Sequence, residues 1–274
     1  MALLPLRYQH WTHVWLPILG AFIWFGTLLS MLITWLATGR PRYPSQDGSI
    51  AYISDVGASY LKPLFIVGCC ITAVCFFLSL AVERWLRHAG RLMPNMRTRE
   101  RVLGSLAVFG AFIGGAGLVL LSIFDTARYT KAHRVFLLVF MLGVALSAIF
   151  TVLEYRWISK AYKDIEHLKK AYILKMVIAS ILILLAVGFA IALFSKSSSA
   201  TNAGAILEWI ISFGFTFYLL TFYLDLRKAK NVQKGELKGY NGRRNRRSRD
   251  IEMNHGRHGH GHSPGGSTLS GTIH

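Results

Sequence analysis

Seven polar residues have the types and the placing to do chemistry together: Ser54, Asp55, Lys62, Asp125, Thr126, His133 and Glu208. Each stands at the edge of a long apolar run. Ser54 and Asp55 lie just before one run, with Lys62-Pro63 at its mouth. Asp125-Thr126 closes the next, His133 precedes the fourth, and Glu208-Trp209 opens the sixth. Brought together by a bundle, they would line one shallow pocket fit for a lipid headgroup or a carboxylate–histidine pair. The same residues also suit helix capping and interface ion pairs, and Asp55 and Asp125 are of the usual capping type. Asp, His and Glu are acceptable metal ligands, but no diagnostic spacing accompanies them, so neither metal nor cofactor is expected.

A second constellation ends the even-numbered runs: Glu83-Arg84, Glu154-Tyr-Arg156 and Asp225-Leu-Arg227. An acid at a helix C-terminus opposes the macrodipole unless it is paired. Local acid–arginine pairs would solve this. Alternatively, Arg84, Arg156 and Arg227 are free to hold lipid phosphates. Farther on, Arg243, Arg244, Arg246, Arg247 and Arg249 form a cluster suited to anionic phospholipids or phosphoinositides, at roughly 1 kcal/mol per basic residue near the surface. His255, His258, His260 and His262 alternate with glycines and read as flexible low complexity rather than a metal site. The chain contains no H-E-x-x-H, no G-x-S-x-G, no phosphate loop and no dinucleotide fingerprint. A non-enzymatic protein is expected. No ionisable residue falls at mid-depth of a run, which counts against a proton-coupled transporter.

The elements that must position these residues are six apolar runs, at about 14–38, 64–82, 102–124, 135–153, 173–194 and 206–224. A bilayer core needs about 20 apolar residues per helix. The first run, at about 25 residues, exceeds a signal-peptide core and reads as a retained span. The expected fold is all-α: a six-span membrane body over 1–230, followed by a disordered basic tail over 231–274. Composition agrees. The 274 residues are 53% hydrophobic yet carry a net charge of +18. A nucleic-acid-binding domain would not be so apolar, so no nucleic acid partner is expected; the charge fits the surface of a bilayer instead. Three cysteines within 69–75 make no disulfide scaffold and read as packing residues.

Basic residues divide 24 to 7 between the two sets of loops, with Lys175 assigned to the richer side by snorkelling. The richer side should be cytoplasmic and hold both termini. Trp11, Trp15, Trp85 and Trp157 would mark the inner interface, Trp35 and Trp209 the outer one, with Trp24 deep. Ile158, Ala161, Ile165, Leu168 and Tyr172 share one helical face, either on the lipid surface or as an extension of the fourth span. Gly110, Gly114, Gly115 and Gly117 offer a face for close helix approach.

The residues before the second span, Ile53-Ser54-Asp55-Val56-Gly57-Ala58 with Lys62-Pro63, resemble a signature of the Frag/DRAM/Sfk family. Phe124-Asp125-Thr126 with His133, Glu208-Trp209, and Asp225-Leu226 at the end of an aromatic last span resemble it too. The likeness covers about residues 10–230 and leaves the tail outside. Its style is that of the fungal Sfk branch. That resemblance implies a multi-pass plasma-membrane protein linked to phospholipid asymmetry and to recruitment of a phosphatidylinositol 4-kinase complex. Other branches imply lipid remodelling of GPI anchors in the Golgi or ER, or modulation of autophagy from vacuolar or lysosomal membranes. The resemblance supplies no catalytic residue. Arg128-Tyr129 stands where some members are expected to have a second histidine, which weakens a paired-histidine site here.

Overall fold

The computed structural model describes residues 9–89, 92, 98–161, 166–195 and 197–227, with side chains described within 13–89, 92, 98–157, 172–195 and 197–227. The tail expected at 231–274, including its arginine cluster, lies outside the described residues. Each apolar run becomes one long helix: α1 (Gln9–Ala37), α3 (Lys62–His88), α4 (Thr98–Ile123), α5 (Thr130–Ala161), α6 (Glu166–Phe194) and α7 (Ser198–Arg227). Between α1 and α3 stands a five-residue helix, α2 (Ile53–Gly57). No strand occurs among the described residues.

The helices outrun the apolar stretches because their ends cross the headgroup layer. At 1.5 Å per residue, the 29 residues of α1 make a rod of about 43 Å, the full thickness of a bilayer with its interfaces. Six helices are long and apolar enough to cross a membrane. Many large apolar side chains stay exposed on the outside, such as Phe22, Leu184 and Ile191. In water such a belt would aggregate; in hydrocarbon it is the solvent-facing surface. The chain is an integral multi-pass membrane protein.

Each long helix packs on the next in the chain, and α7 returns to α1, so the six form a closed ring. The α5–α6 seam is the most sparsely packed of the six. An aromatic cluster of Phe76, Phe215, Tyr218 and Phe222 fills the centre, with Trp24, Leu28 and Met31 from α1 beside it. Cys69 and Cys75 are buried free thiols in this packing.

The tightest contact is α4 against α5, where the glycine face is used. A Cβ on Gly110 would lie 2.9 Å from the Ser147 backbone N, one on Gly114 2.9 Å from the Val144 N, and one on Gly117 2.6 Å from the Phe140 N. Gly115 looks the other way, toward Ala73 on α3 at an ordinary 3.5 Å. The face serves packing within the chain.

Several expectations change at this level. Trp35 and Trp209 are buried rather than resting in the interface; the Trp209 indole N–H donates to the Ala51 carbonyl at 3.0 Å. His133 lies in the first turn of α5 rather than before the span, because α5 begins at Thr130. The segment after the fourth span is helical to Ala161 and again from Glu166, as continuations of α5 and α6.

The glycine face yields a test. Gly114→Ala must push a methyl against backbone that cannot rotate away, and should cost about 1–3 kcal/mol. Gly115→Ala should be close to neutral. Thermal unfolding in detergent compares the two, and equal effects would contradict this packing.

Candidate functional site

The Asp55 rim of the ring is built by the 38–61 loop, the 124–129 turn and the α6–α7 junction. Helix α1 stops at Gly39, whose φ of +81° suits a residue without Cβ, and Arg40 N–H closes on the Trp35 carbonyl at 2.9 Å. The loop then folds back over the bundle. Asn202 Oδ1 of α7 accepts from the Ser49 and Ile50 N–H groups at 2.8 and 3.2 Å, and Glu208 Oε2 accepts from the Ile53 N–H at 2.7 Å. The Tyr52 hydroxyl donates to the Thr201 carbonyl at 2.9 Å. Asp55, third residue of α2, accepts from the Tyr52 N–H at 3.0 Å and from the Ser45 hydroxyl at 2.6 Å. It is a cap and a site residue at once.

Beneath this loop lies an open cavity of about 750 Å³. Ser54, Asp55, Thr126, His133 and Glu208 line it, so five of the seven outer-rim candidates converge. Lys62 and Asp125 do not line it. They pair with each other at 2.5 Å, and Asp125 also accepts from the Arg128 N–H at 2.7 Å. Sequence reasoning missed Ser45, Tyr52, Arg134 and Phe189 in the lining. Only the return of the loop onto α7 gathers them, and no local motif announces that.

Burial pushes the Asp55 carboxyl above the usual carboxylate range, partly offset by its Ser45 and Tyr52 donors. Burial, then the neighbouring Glu208 and Asp55 carboxylates, push the Tyr52 phenol up to about 12, so it stays a neutral donor. At Asp125, burial opposes ionisation, but the Lys62 ammonium and the Arg128 N–H outweigh it and hold the carboxyl below its ordinary value. His133 is buried, with Nδ1 2.9 Å from both the Leu121 and Phe124 carbonyls. Carbonyls only accept, so Nδ1 carries the proton there, and in the tautomer this fixes Nε2 is the acceptor. That Nε2 is buried without a partner among the described residues.

The opposite, Glu83 rim holds the second constellation, and its pairing differs from the local pairs expected. Glu83 is taken by Arg87 at 2.8 Å and by the Tyr155 hydroxyl at 2.8 Å. Arg84 reaches across to Glu154 at 2.9 Å and donates to the Arg101 carbonyl at 2.5 Å. Its fork is therefore engaged by protein. Asp225 pairs with Lys175 at 2.5 Å. Lys175 does not snorkel: it is 2% exposed, with its ammonium 3.7 Å from the centroid of Phe222. Arg156 and Arg227 are exposed at this rim. Arg243, Arg244, Arg246, Arg247 and Arg249 fall outside the described residues.

Residues 13–229 match the family model described as the Frag1/DRAM/Sfk1/Cwh43P N-terminal domain. Protein sfk1 of Schizosaccharomyces pombe is 27% identical over 223 residues, covering 81% of this chain and 66% of that protein. Protein SFK1 of Saccharomyces cerevisiae is 31% identical over 182 residues, covering 54% of this chain and 50% of that protein. The matched region thus spans just under two thirds of one relative and half of the other. No solved structure matches.

The Glu83 rim generates a prediction. Lys175→Met strands Asp225 in an apolar interior and should cost about 3–5 kcal/mol. Lys175→Met combined with Asp225→Leu removes both charges and should recover much of that loss. Unfolding in detergent measures both, and a double variant no better than the single would show that the pair is not what holds α6 to α7.

Proposed function

The chain belongs to the Frag1/DRAM/Sfk1 family of membrane proteins, and we propose that it acts without catalysis, as a regulator of lipid organisation in the plasma membrane. The observation that carries this reading is the cavity at the Asp55 rim. It is polar under the loop, walled by Leu137, Phe189 and Leu193 below, and lies at the ends of the apolar spans α5, α6 and α7. The way its groups are held supports a binding role. His133 directs Nδ1 to two carbonyls, and Asp55 directs its oxygens to a hydroxyl and a backbone N–H. A nucleophilic relay would instead line up hydroxyl, imidazole and carboxylate in sequence.

The 24-to-7 division of basic residues favours a cytoplasmic Glu83 rim. The cavity then opens to the outer leaflet. The basic surface, with the arginines at 243–249, meets the anionic inner leaflet, where it engages phosphoinositides and a phosphatidylinositol 4-kinase complex.

Cells lacking the protein should show an altered phospholipid distribution between leaflets, read with impermeant headgroup-reactive labels. Wild type should restore it and Asp55→Ala with Glu208→Gln should not. Restoration by that variant would remove the cavity from the mechanism. GPI-anchor remodelling is the alternative, favoured by the same carboxylates and His133; it predicts an unchanged leaflet distribution and altered lipid on GPI-linked proteins. A tagged copy at the plasma membrane is expected, whereas a Golgi or vacuolar location would favour the other branches.

Replacing Arg243, Arg244, Arg246, Arg247 and Arg249 by Ala should lower binding of the purified protein to phosphoinositide vesicles. Unchanged binding would dismiss the tail's part in this.

A further inference from the structure

We propose that the cavity at the Asp55 rim is a headgroup site for a lipid bearing a primary ammonium, recognised by Asp55, Glu208 and His133 Nε2. This rests on the reading of the protein as a lipid regulator and gives that reading a ligand.

The lining holds three acids, Asp47, Asp55 and Glu208, against one arginine, Arg134. Asp55 from α2, Glu208 from α7 and His133 from α5 reach the same space from three elements. Glu208 commits Oε2 to the Ile53 N–H, and Oε1 has no hydrogen-bond partner among the described residues. His133 is 3% exposed and its Nε2 has no partner among the described residues, while Nδ1 is fixed as a donor by two carbonyls. A buried acceptor left unmade is costly, so a donor in the cavity would complete it.

Charge points the same way. Neither Asp55 nor Glu208 forms an ion pair with a described residue. The nearby ammonium of Lys62 is taken by Asp125 at 2.5 Å. Arg134 is held only loosely by Asp47, at 3.9 Å, with both side chains exposed. Asp55 is buried and Glu208 half-buried, and carboxylates so placed call for a cation. A bare metal ion suits the site poorly: among the described residues no group of three His, Cys, Asp or Glu could hold one, and a cavity of about 750 Å³ is far larger than an ion. A trimethylammonium has no N–H to give three acceptors. A primary ammonium has three.

The walls say that the ammonium arrives on a lipid. Leu137, Phe189 and Leu193 form the apolar side, and Phe194 is 82% exposed at the end of α6, on the sparsely packed α5–α6 seam. Acyl chains can stay in the bilayer beside that seam while the headgroup enters. Arg134 lines the cavity and is free to turn from Asp47 to a phosphate.

The full chain is placed in nanodiscs of phosphatidylcholine doped with a photoactivatable phosphatidylethanolamine, and crosslinking is competed with unlabelled lipids. Phosphatidylethanolamine should compete about tenfold better than phosphatidylcholine or phosphatidylglycerol. Glu208→Gln keeps an oxygen for the Ile53 N–H and should erase that preference. Leu193→Trp should block crosslinking by filling the cavity while leaving the carboxylates in place. Arg227→Ala, at the opposite rim, should change nothing. Equal competition by phosphatidylcholine, or an intact preference in both cavity variants, overturns the proposal. Full competition by free phosphoethanolamine overturns the lipid as the source of the ammonium. Selective crosslinking with an unchanged leaflet distribution in cells would leave the site standing and remove the regulatory reading; a changed distribution without selectivity would do the reverse.

Discussion

Charge buried in a hydrocarbon solvent must be answered within the protein, and that constraint organises the Glu83 rim. Lys175 and Asp225 tie α6 to α7. Glu83 with Arg87 and Tyr155 ties α3 to α5, and Arg84 with Glu154 ties the same two helices a second time. Water cannot relieve these groups if the helices part. Each pair is therefore worth less as attraction than as a penalty against separation, since desolvating the ions offsets much of their mutual gain. The rings of Tyr155 and Phe222 beside the cations add to this without introducing further charge.

With one rim fastened, the ring has a defined weak side. Helices α4 and α5 meet backbone to backbone through Gly110, Gly114, Gly117 and Gly143, which leaves no side-chain layer between them. Bringing α5 close to α4 draws it from α6. The cavity sits at the top of that looser seam, and its loop is hydrogen-bonded to α7 through Asn202 and Glu208, with a ring contact to Phe189 of α6 and a long ion pair to Arg134 of α5.

The six spans were legible because length and hydropathy alone decide them. The glycine face was legible because only glycine permits such an approach, though its partner helix was not. Asp55, His133 and Glu208 could be singled out because a polar residue beside an apolar run needs a reason to be there. What sequence could not supply was pairing. Glu83 lies next to Arg84 in the chain, yet one turn of helix places Arg87 against it and aims Arg84 at Glu154. Lys175 looked like a snorkelling lysine because its partner, Asp225, is 50 residues away on a helix that is adjacent only once the ring closes. Trp35 and Trp209 looked like interface markers because amphipathic rings settle there, but both are buried in the protein, Trp209 against the returning loop at Ala51. Each error has one source: a helix end reads as facing lipid until the neighbouring helix or loop is known.

The two rims also answer their polar groups differently, and the difference bears on function. At the Glu83 rim, the acids of α3, α5 and α7 each have a cation at 2.9 Å or less. At the Asp55 rim, Lys62 and Asp125 are likewise matched, but Asp55 and Glu208 have only neutral donors, and His133 has a bare nitrogen. A bundle able to match its charges so closely elsewhere had the means to match these. Leaving acceptors open costs stability, because a buried polar group without its partner loses water and gains nothing. Such a cost persists where a bound group removes it. The unmatched acceptors are therefore better evidence for a ligand than the size of the cavity. Size shows that something fits, whereas two carboxylates with no cation among the described residues are what the proposed ammonium would answer.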